Sequence, residues 1–389
     1  MNSDILARRI ACVHASFIRE ILKVTEQPGI ISFAGGLPNQ ALFPLEAIRR
    51  ATDAVLTNDG HAALQYSTTE GHTGLREWIA ERYRKRFGLN IPVEQILVTN
   101  GSQQALDLLG KVLLNPGDPV LLEAPGYLGA IQAFSLYEPR FIPVALREDG
   151  LDQQQLKTAT AQHQAKLLYA VPNFQNPTGI SYSEANRHAV AATLREQKTL
   201  LIEDDPYGEL RYSGQEAPSF KQLLPEQTIL LGSFSKTVLP SFRLGWVVAP
   251  PRLMEKLVIA KQSADLHSSG FTQRVLHRYL RDNDYDAHLQ RLIESYGTQQ
   301  RTMLAAIKRY FPPTVQNTTP QGGMFIWATL AENRSAMTLL EKAMQQQVAF
   351  VPGHPFYIGK SDSNTLRLNY TNADAETIEQ GIKRLGKIL

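Results

Sequence analysis

The chain has almost no cysteine: Cys12 stands alone among 389 residues. That excludes an intrachain disulfide and any cysteine-based zinc site, and a reducing, cytoplasmic compartment fits best. Net charge is scarce as well, since 40 Lys and Arg against 37 Asp and Glu leave a formal +3. A general nucleic-acid binder rests on many phosphate contacts, and this balance argues against one. No uncharged apolar stretch approaches the roughly 18 residues that a membrane helix requires. The 9 histidines show neither HExxH nor any paired ligand spacing, so no catalytic metal is expected. The stretch IACVHASFI has the look of a short signal-peptide core, but His14 interrupts it and Asp4 precedes it. The spacing of Ile5, Ile10, Val13, Phe17, Ile21 and Leu22 fits an amphipathic helix better.

What is present is ample core. Hydrophobic residues at 43% and charged residues at 20% exclude disorder, and 26 Gly and 22 Pro without a period exclude a collagen-like chain. At roughly 150 residues per domain the length allows two or three domains, or one large one. From about residue 46 to 280, short apolar runs alternate with longer amphipathic ones. The runs begin at Ile96, Val120, Leu167, Leu200, Ile229 and Gly245, each of strand length, with helical partners such as 105–114 and 183–197 between them. Continuous apolar strands separated by helices are the pattern of a mostly parallel sheet covered on both faces. Beyond about 280, long helical stretches (287–309, 335–347) alternate with fewer strands, such as 323–328 and 365–370. The expectation is a large α/β domain over 46–280, with 1–45 and 281–389 forming a smaller α+β domain.

In an open α/β sheet, ligands bind outside the carboxyl ends of the strands. The residues just past each predicted strand form an unusual set. Strand 96–100 opens into Gly101-Ser102-Gln103, and strand 167–171 into a loop carrying Asn176-Pro177-Thr178-Gly179. Strand 199–203 leads to Asp204, Asp205 and Tyr207, and strand 228–232 to Ser233, Ser235 and Lys236, with Arg243 seven residues on. Each type answers a need of one cofactor, pyridoxal phosphate. Its phosphate needs a helix N-terminus, hydroxyl donors and a fixed cation, which Gly101, Ser102, Gln103, Ser233, Ser235 and Arg243 offer. Its pyridine nitrogen stays protonated beside a carboxylate, its 3-oxygen wants neutral donors, and its aldehyde wants a lysine for a Schiff base.

With Asn176-Pro177-Thr178-Gly179, Asp204-x-x-Tyr207, Ser233-x-Ser235-Lys236 and Arg243, the chain resembles the fold-type I pyridoxal-phosphate aminotransferases. Ser32-Phe33-Ala34-Gly35-Gly36-Leu37-Pro38, Leu64-Gln65-Tyr66-Ser67 and Pro320-x-Gly322-Gly323-Met324-Phe325 are similar to the 2-aminoadipate/kynurenine branch. The likeness runs from about 16 to 385 in the family's order. It implies a large domain with a mostly parallel seven-stranded sheet plus a smaller α+β domain. It also implies transfer of an amino group from an L-amino acid (2-aminoadipate, glutamate, aromatic or branched-chain) to a 2-oxo acid such as 2-oxoglutarate. Transcription regulators carry the same domain behind a helix-turn-helix; here the chain is expected to begin at the domain itself.

The resemblance also implies roles. Lys236 takes the Schiff base, Asp204 faces the pyridine nitrogen, and Tyr207 and Asn176 contact the 3-oxygen. Glu203 and Asp205 rival Asp204 by proximity, and only the family's three-residue offset to the tyrosine selects it. Gly101, Ser102, Gln103, Ser233, Ser235 and Arg243 bind the phosphate end, and Tyr127 stacks on the ring. Tyr66 reaches across a homodimer with shared active sites. Arg367 holds the substrate α-carboxylate, Gly36 lines the substrate site, and Ser16 and Arg19 sit on an N-terminal helix that contacts the substrate's side chain. Another pyridoxal-phosphate enzyme on this fold, a β-lyase, decarboxylase or racemase, and a cofactor-holding sensor without turnover are the competing readings.

Overall fold

The computed structural model describes residues 7–11 and 29–389. Ser16, Arg19 and most of the N-terminal amphipathic pattern therefore lie outside the described residues. The chain enters through a short strand, β1 (Ile31–Ser32). The next strands are β2 (Ile96–Asn100), β3 (Pro119–Ala124), β4 (Arg140–Arg147) and β5 (Gly150–Leu151). They are followed by β6 (Leu167–Ala170), β7 (Leu200–Asp204), β8 (Thr228–Ser233) and β9 (Leu244–Val248). These last eight make one sheet in the order β2-β9-β8-β7-β6-β3-β4-β5.

That is one strand more than the seven expected. The extra one is β5, whose two residues pair with the end of β4 through Leu146↔Leu151 and Arg147↔Gly150. β4 itself was not legible as an apolar run, because Arg140 and Arg147 end it and Pro143 interrupts it. The proline is tolerated because β4 is an edge there: β3 pairs with it over Arg140–Ala145, and β5 joins only beyond. β3, β6, β7 and β8 pair in parallel. β9 is antiparallel to both β8 and β2, so β2 again points the same way as the parallel set. The carboxyl ends of β2, β6, β7 and β8 thus share one rim. β6 and β8 are buried at every residue, as strands covered on both faces must be.

Local chemistry sets the helices between them. Ser183 caps the helix Glu184–Arg195 by accepting from the Asn186 N–H, and Asp152 caps Gln153–His163 by accepting from the Gln155 N–H. The helix Gly101–Leu113 starts directly at the end of β2 and buries Ala105, Leu106, Leu108 and Leu109. A second, antiparallel sheet follows, made of β10 (Gln316–Asn317), β11 (Phe325–Thr329), β13 (Val351–Pro352) and β14 (Thr365–Asn369) in the order β10-β11-β14-β13. The helices Tyr285–Tyr310 and Ala375–Gly386 accompany it. β1 pairs in parallel with β12 (Val348–Ala349), tying residues from the two ends of the chain. No helix among the described residues is long and apolar enough to cross a membrane.

Candidate active site

One cavity of about 240 Å³ opens at the shared rim. Ser102, Gln103, Tyr127, Asn176, Asp204, Tyr207, Ser233, Ser235, Lys236 and Arg243 line it. Sequence reading passed over two further lining residues, Val171 and Pro206. Both stand just past β6 and β7, so attention to every residue at the strand ends would have found them.

One end of the cavity is built beside a glycine. Gly101 begins its helix at φ +72°, and a Cβ there would stand 2.5 Å from Arg243 Nη2. The bare backbone lets the guanidinium lie against the helix N-terminus, where free N–H groups and the helix dipole favour an anion. Arg243 Nη1 donates to Ser235 Oγ at 3.4 Å, and the Ser233 hydroxyl accepts from the Ser235 N–H at 3.1 Å. Gln103 ties this end to the next loop by donating to the Gly129 carbonyl at 2.8 Å.

Asp204 ends β7 and is 1% exposed. Its Oδ2 accepts from the hydroxyl of Tyr169 at 2.7 Å, while Oδ1 is buried with no hydrogen-bond partner among the described residues. Burial pushes its carboxyl up to about 7 against the Tyr169 hydrogen bond, with Asp205 adding to the rise. A cation placed at Oδ1 would return it to the ionised form.

Its two sequence neighbours have different surroundings. Glu203 is buried on the Arg187 and Ser219 side, accepting from Ser219 Oγ at 2.6 Å with Arg187 Nη1 3.7 Å away. Asp205 accepts from Asn173 Nδ2 and the Gly208 N–H at 2.9 Å each and faces Arg86 at 3.5 Å.

Lys236 is half-buried, and its ammonium is pushed down to about 8 by burial, with Arg367 and Arg243 adding repulsion. Its Nζ donates to the Gly36 carbonyl at 2.7 Å. Gly36 therefore meets the site through its backbone, and a Cβ there would stand 3.1 Å from the Phe325 ring.

Arg367, on β14, is 3% exposed and donates to Asn176 Oδ1 and the Ala34 carbonyl at 2.7 Å each. Its guanidinium lies 4.3 Å from the Phe325 ring centroid and 5.3 Å from that of Phe356, and Nε has no partner among the described residues. Asn176 donates in turn to the Tyr207 hydroxyl at 3.4 Å, and Tyr207 packs edge-on against Phe325. The Tyr127 hydroxyl, which also lines the cavity, is pushed up to about 12 by burial and by Asp204, so it stays protonated and able to donate.

Tyr66 is not brought to this cavity: it is 79% exposed and rests edge-on against His267. Among the described residues no group of three or more His, Cys, Asp or Glu is placed to hold a metal ion.

The residues present fit pyridoxal phosphate. An arginine and hydroxyls at a helix N-terminus suit its phosphate, and an unpartnered buried carboxylate oxygen suits its pyridine nitrogen. A lysine made less basic by its surroundings suits its aldehyde.

Comparison with known proteins agrees. The family model for aminotransferase class I and II matches residues 29–385. The chain is 42% identical to aromatic-amino-acid aminotransferase 1 of Thermococcus litoralis, covering 96% of this chain and 91% of that one. It is also 42% identical to 2-aminoadipate transaminase of Thermus thermophilus, over 100% of this chain and 97% of the relative. The crystal structure of Pyrococcus horikoshii kynurenine aminotransferase superposes with a TM-score of 0.94 at 42% identity, covering 99% of this chain and 96% of that one.

Proposed function

Because this chain belongs to the class I and II aminotransferases and is a pyridoxal-phosphate-dependent aminotransferase, we propose that it moves the amino group of an L-amino acid to 2-oxoglutarate or a similar 2-oxo acid. The donor class is 2-aminoadipate, glutamate, aromatic or branched-chain amino acids. The names of the relatives support the aromatic and 2-aminoadipate part of this range: one acts on aromatic amino acids, another on 2-aminoadipate, and the solved neighbour on kynurenine.

The observation that carries the assignment of residues is the meeting of Lys236 and the unpartnered Asp204 Oδ1 in one cavity. When bound, pyridoxal phosphate supplies an aldehyde for the amino group and a ring that takes up the electron pair left when the Cα–H bond breaks. Lys236 is the base that takes the Cα proton and returns it, and its lowered basicity leaves a useful fraction of free amine near neutral pH. Asp204 holds a proton on the ring nitrogen, while Tyr207 and Asn176 donate to the ring oxygen. Ser102, Gln103, Ser233, Ser235 and Arg243 hold the phosphate on the Gly101 helix end, and Tyr127 covers the ring.

Arg367 binds the substrate α-carboxylate beside Asn176 and Gly36. Its planar fork fixes a carboxylate in one orientation, and its spare Nε supports this role. Ser16 and Arg19 are assigned to the substrate's side chain.

Three broader points belong to the same proposal. The enzyme is a cytoplasmic homodimer in which Tyr66 reaches the partner's site, and its 79% exposure in the single chain supports that reading. The large domain spans 46–280, and 1–45 with 281–389 form the smaller one, a division that the pairing of β1 with β12 supports. A panel of acidic, aromatic and branched-chain donors against 2-oxoglutarate tests the function, followed by the absorbance of the cofactor. The expected result is a donor-dependent shift to the amine form that a 2-oxo acid reverses. Release of ammonia and pyruvate would instead mean a β-lyase, and no reversal would mean a sensor.

A further inference from the structure

Asp204 is held by a tyrosine that reading along the chain does not single out. Tyr169 stands on β6, the strand next to β7, and pairs in register with Ile202. It is 0% exposed, and its ring packs edge-on against Phe134, with centroids 6.1 Å apart. From there its hydroxyl donates to Asp204 Oδ2 at 2.7 Å. Asp204 lines the cavity, and its Oδ1 is buried without a partner among the described residues. The two oxygens are thus divided, one bound to the sheet and one free.

We propose that Tyr169 is a positioning residue that fixes the Asp204 carboxylate through Oδ2, leaving Oδ1 to receive the protonated ring nitrogen of the cofactor. The proposal rests on the reading of Asp204 as that nitrogen's partner. The choice of a phenol matters. A lysine or arginine at this place would satisfy Oδ2 but also neutralise the carboxylate, competing with the ring nitrogen for its charge. Among the described residues no basic side chain forms a salt bridge with Asp204, and the groups acting on it are Tyr169 and Asp205. A neutral donor satisfies the oxygen and still favours the ionised carboxylate. Tyr169 itself does not compete for a charge, because burial and Asp204 push its phenol well above the ordinary range and its proton stays in place.

The test loads the protein with pyridoxal phosphate labelled with nitrogen-15 in the ring. It reads the ring-nitrogen chemical shift and, by equilibrium dialysis, the cofactor Kd at pH 7.5. Tyr169→Phe removes only the hydroxyl. Loss of the donor raises the Asp204 carboxyl further above its present value of about 7; a rise of about one pH unit cuts the ionised fraction at pH 7.5 about threefold, which weakens cofactor binding by about the same factor. The nitrogen signal should move toward its unprotonated value. Phe134→Leu disturbs the packing of the Tyr169 ring without touching the hydrogen bond, and should lower stability while leaving the nitrogen signal as in the parent. Tyr169→Met is the second variant should Tyr169→Phe not fold, with the same expected shift.

Asp204→Ala separates the two levels. If it moves the nitrogen signal and loss of the Tyr169 hydroxyl does not, the role of Tyr169 is refuted and that of Asp204 stands. If Asp204→Ala leaves the signal unmoved, both fall. Equal shifts in Tyr169→Phe and Phe134→Leu would make Tyr169 a packing residue and overturn the proposal.

Discussion

Gly101→Ala is a sharp probe of the phosphate end, because its two costs can be measured apart. The first is backbone strain. Gly101 sits at φ +72°, where an L side chain costs about 1–2 kcal/mol. The reduced entropy of the unfolded chain offsets about 0.4–1 kcal/mol of that. The net loss of stability is therefore about 1 kcal/mol. The second cost falls on Arg243. The new Cβ would stand 2.5 Å from Nη2, so the guanidinium must swing away and give up Ser235 Oγ. A hydrogen bond to a charged group contributes about 1.5–3 kcal/mol, so losing the proposed phosphate contact should weaken cofactor binding by about 10- to 150-fold.

Gly88 supplies the control. It caps the helix Thr73–Phe87 at φ +65°, and an added Cβ meets nothing within 4 Å. Gly88→Ala should show the stability loss alone. The assay is cofactor Kd by equilibrium dialysis, with thermal unfolding of both cofactor-free variants. Parent-like binding by Gly101→Ala, or an equal weakening in Gly88→Ala, would refute the reasoning.

Lys236→Ala should lose the yellow covalent form and several orders of magnitude of turnover; borohydride trapping of the cofactor on another lysine would show the wrong lysine was chosen. Because the Lys236 ammonium is pushed down to about 8, its free amine is lost as pH falls below that value. Cofactor capture by the cofactor-free protein should accordingly rise up to about pH 8 and level off above it. A rise that continues toward pH 10 in stopped-flow absorbance would mean an ordinary lysine. Asp204→Asn should slow Cα deprotonation in single-turnover kinetics, whereas Asp205→Asn should cost stability through Asn173, Gly208 and Arg86 with the chemistry nearly intact. Equal kinetic losses would undo that distinction. Arg367→Lys should raise KM for every amino donor about tenfold or more, since a point charge cannot replace a bidentate fork, and unchanged KM values would remove Arg367 from the substrate site.

The sequence by itself determined the kind of sheet and the rim where chemistry gathers. Apolar runs at Ile96, Leu167, Leu200 and Ile229 became strands, and the polar residues just past them came to one cavity. That much is local: a strand's carboxyl end carries whatever follows it in the chain, and parallel strands bring those ends together. β4 escaped because its proline and terminal arginines break the apolar pattern, and β5 because two residues carry no period.

Tertiary structure alone decided which distant groups touch. The Gly36 carbonyl lies 200 residues from Lys236, and Asn176 lies 191 from Arg367, distances that no spacing rule spans. Tyr169 sits inside Leu167-Leu168-Tyr169-Ala170, where an apolar run hides its hydroxyl; only the neighbouring of β6 and β7 shows that it meets Asp204. The three consecutive carboxylates were separated by family offset in the sequence, and the pleat gives the physical reason. Side chains alternate along β7, so Glu203 turns to Arg187 and Asp204 to Tyr169 and the cavity, while Asp205 lies past the strand against Arg86.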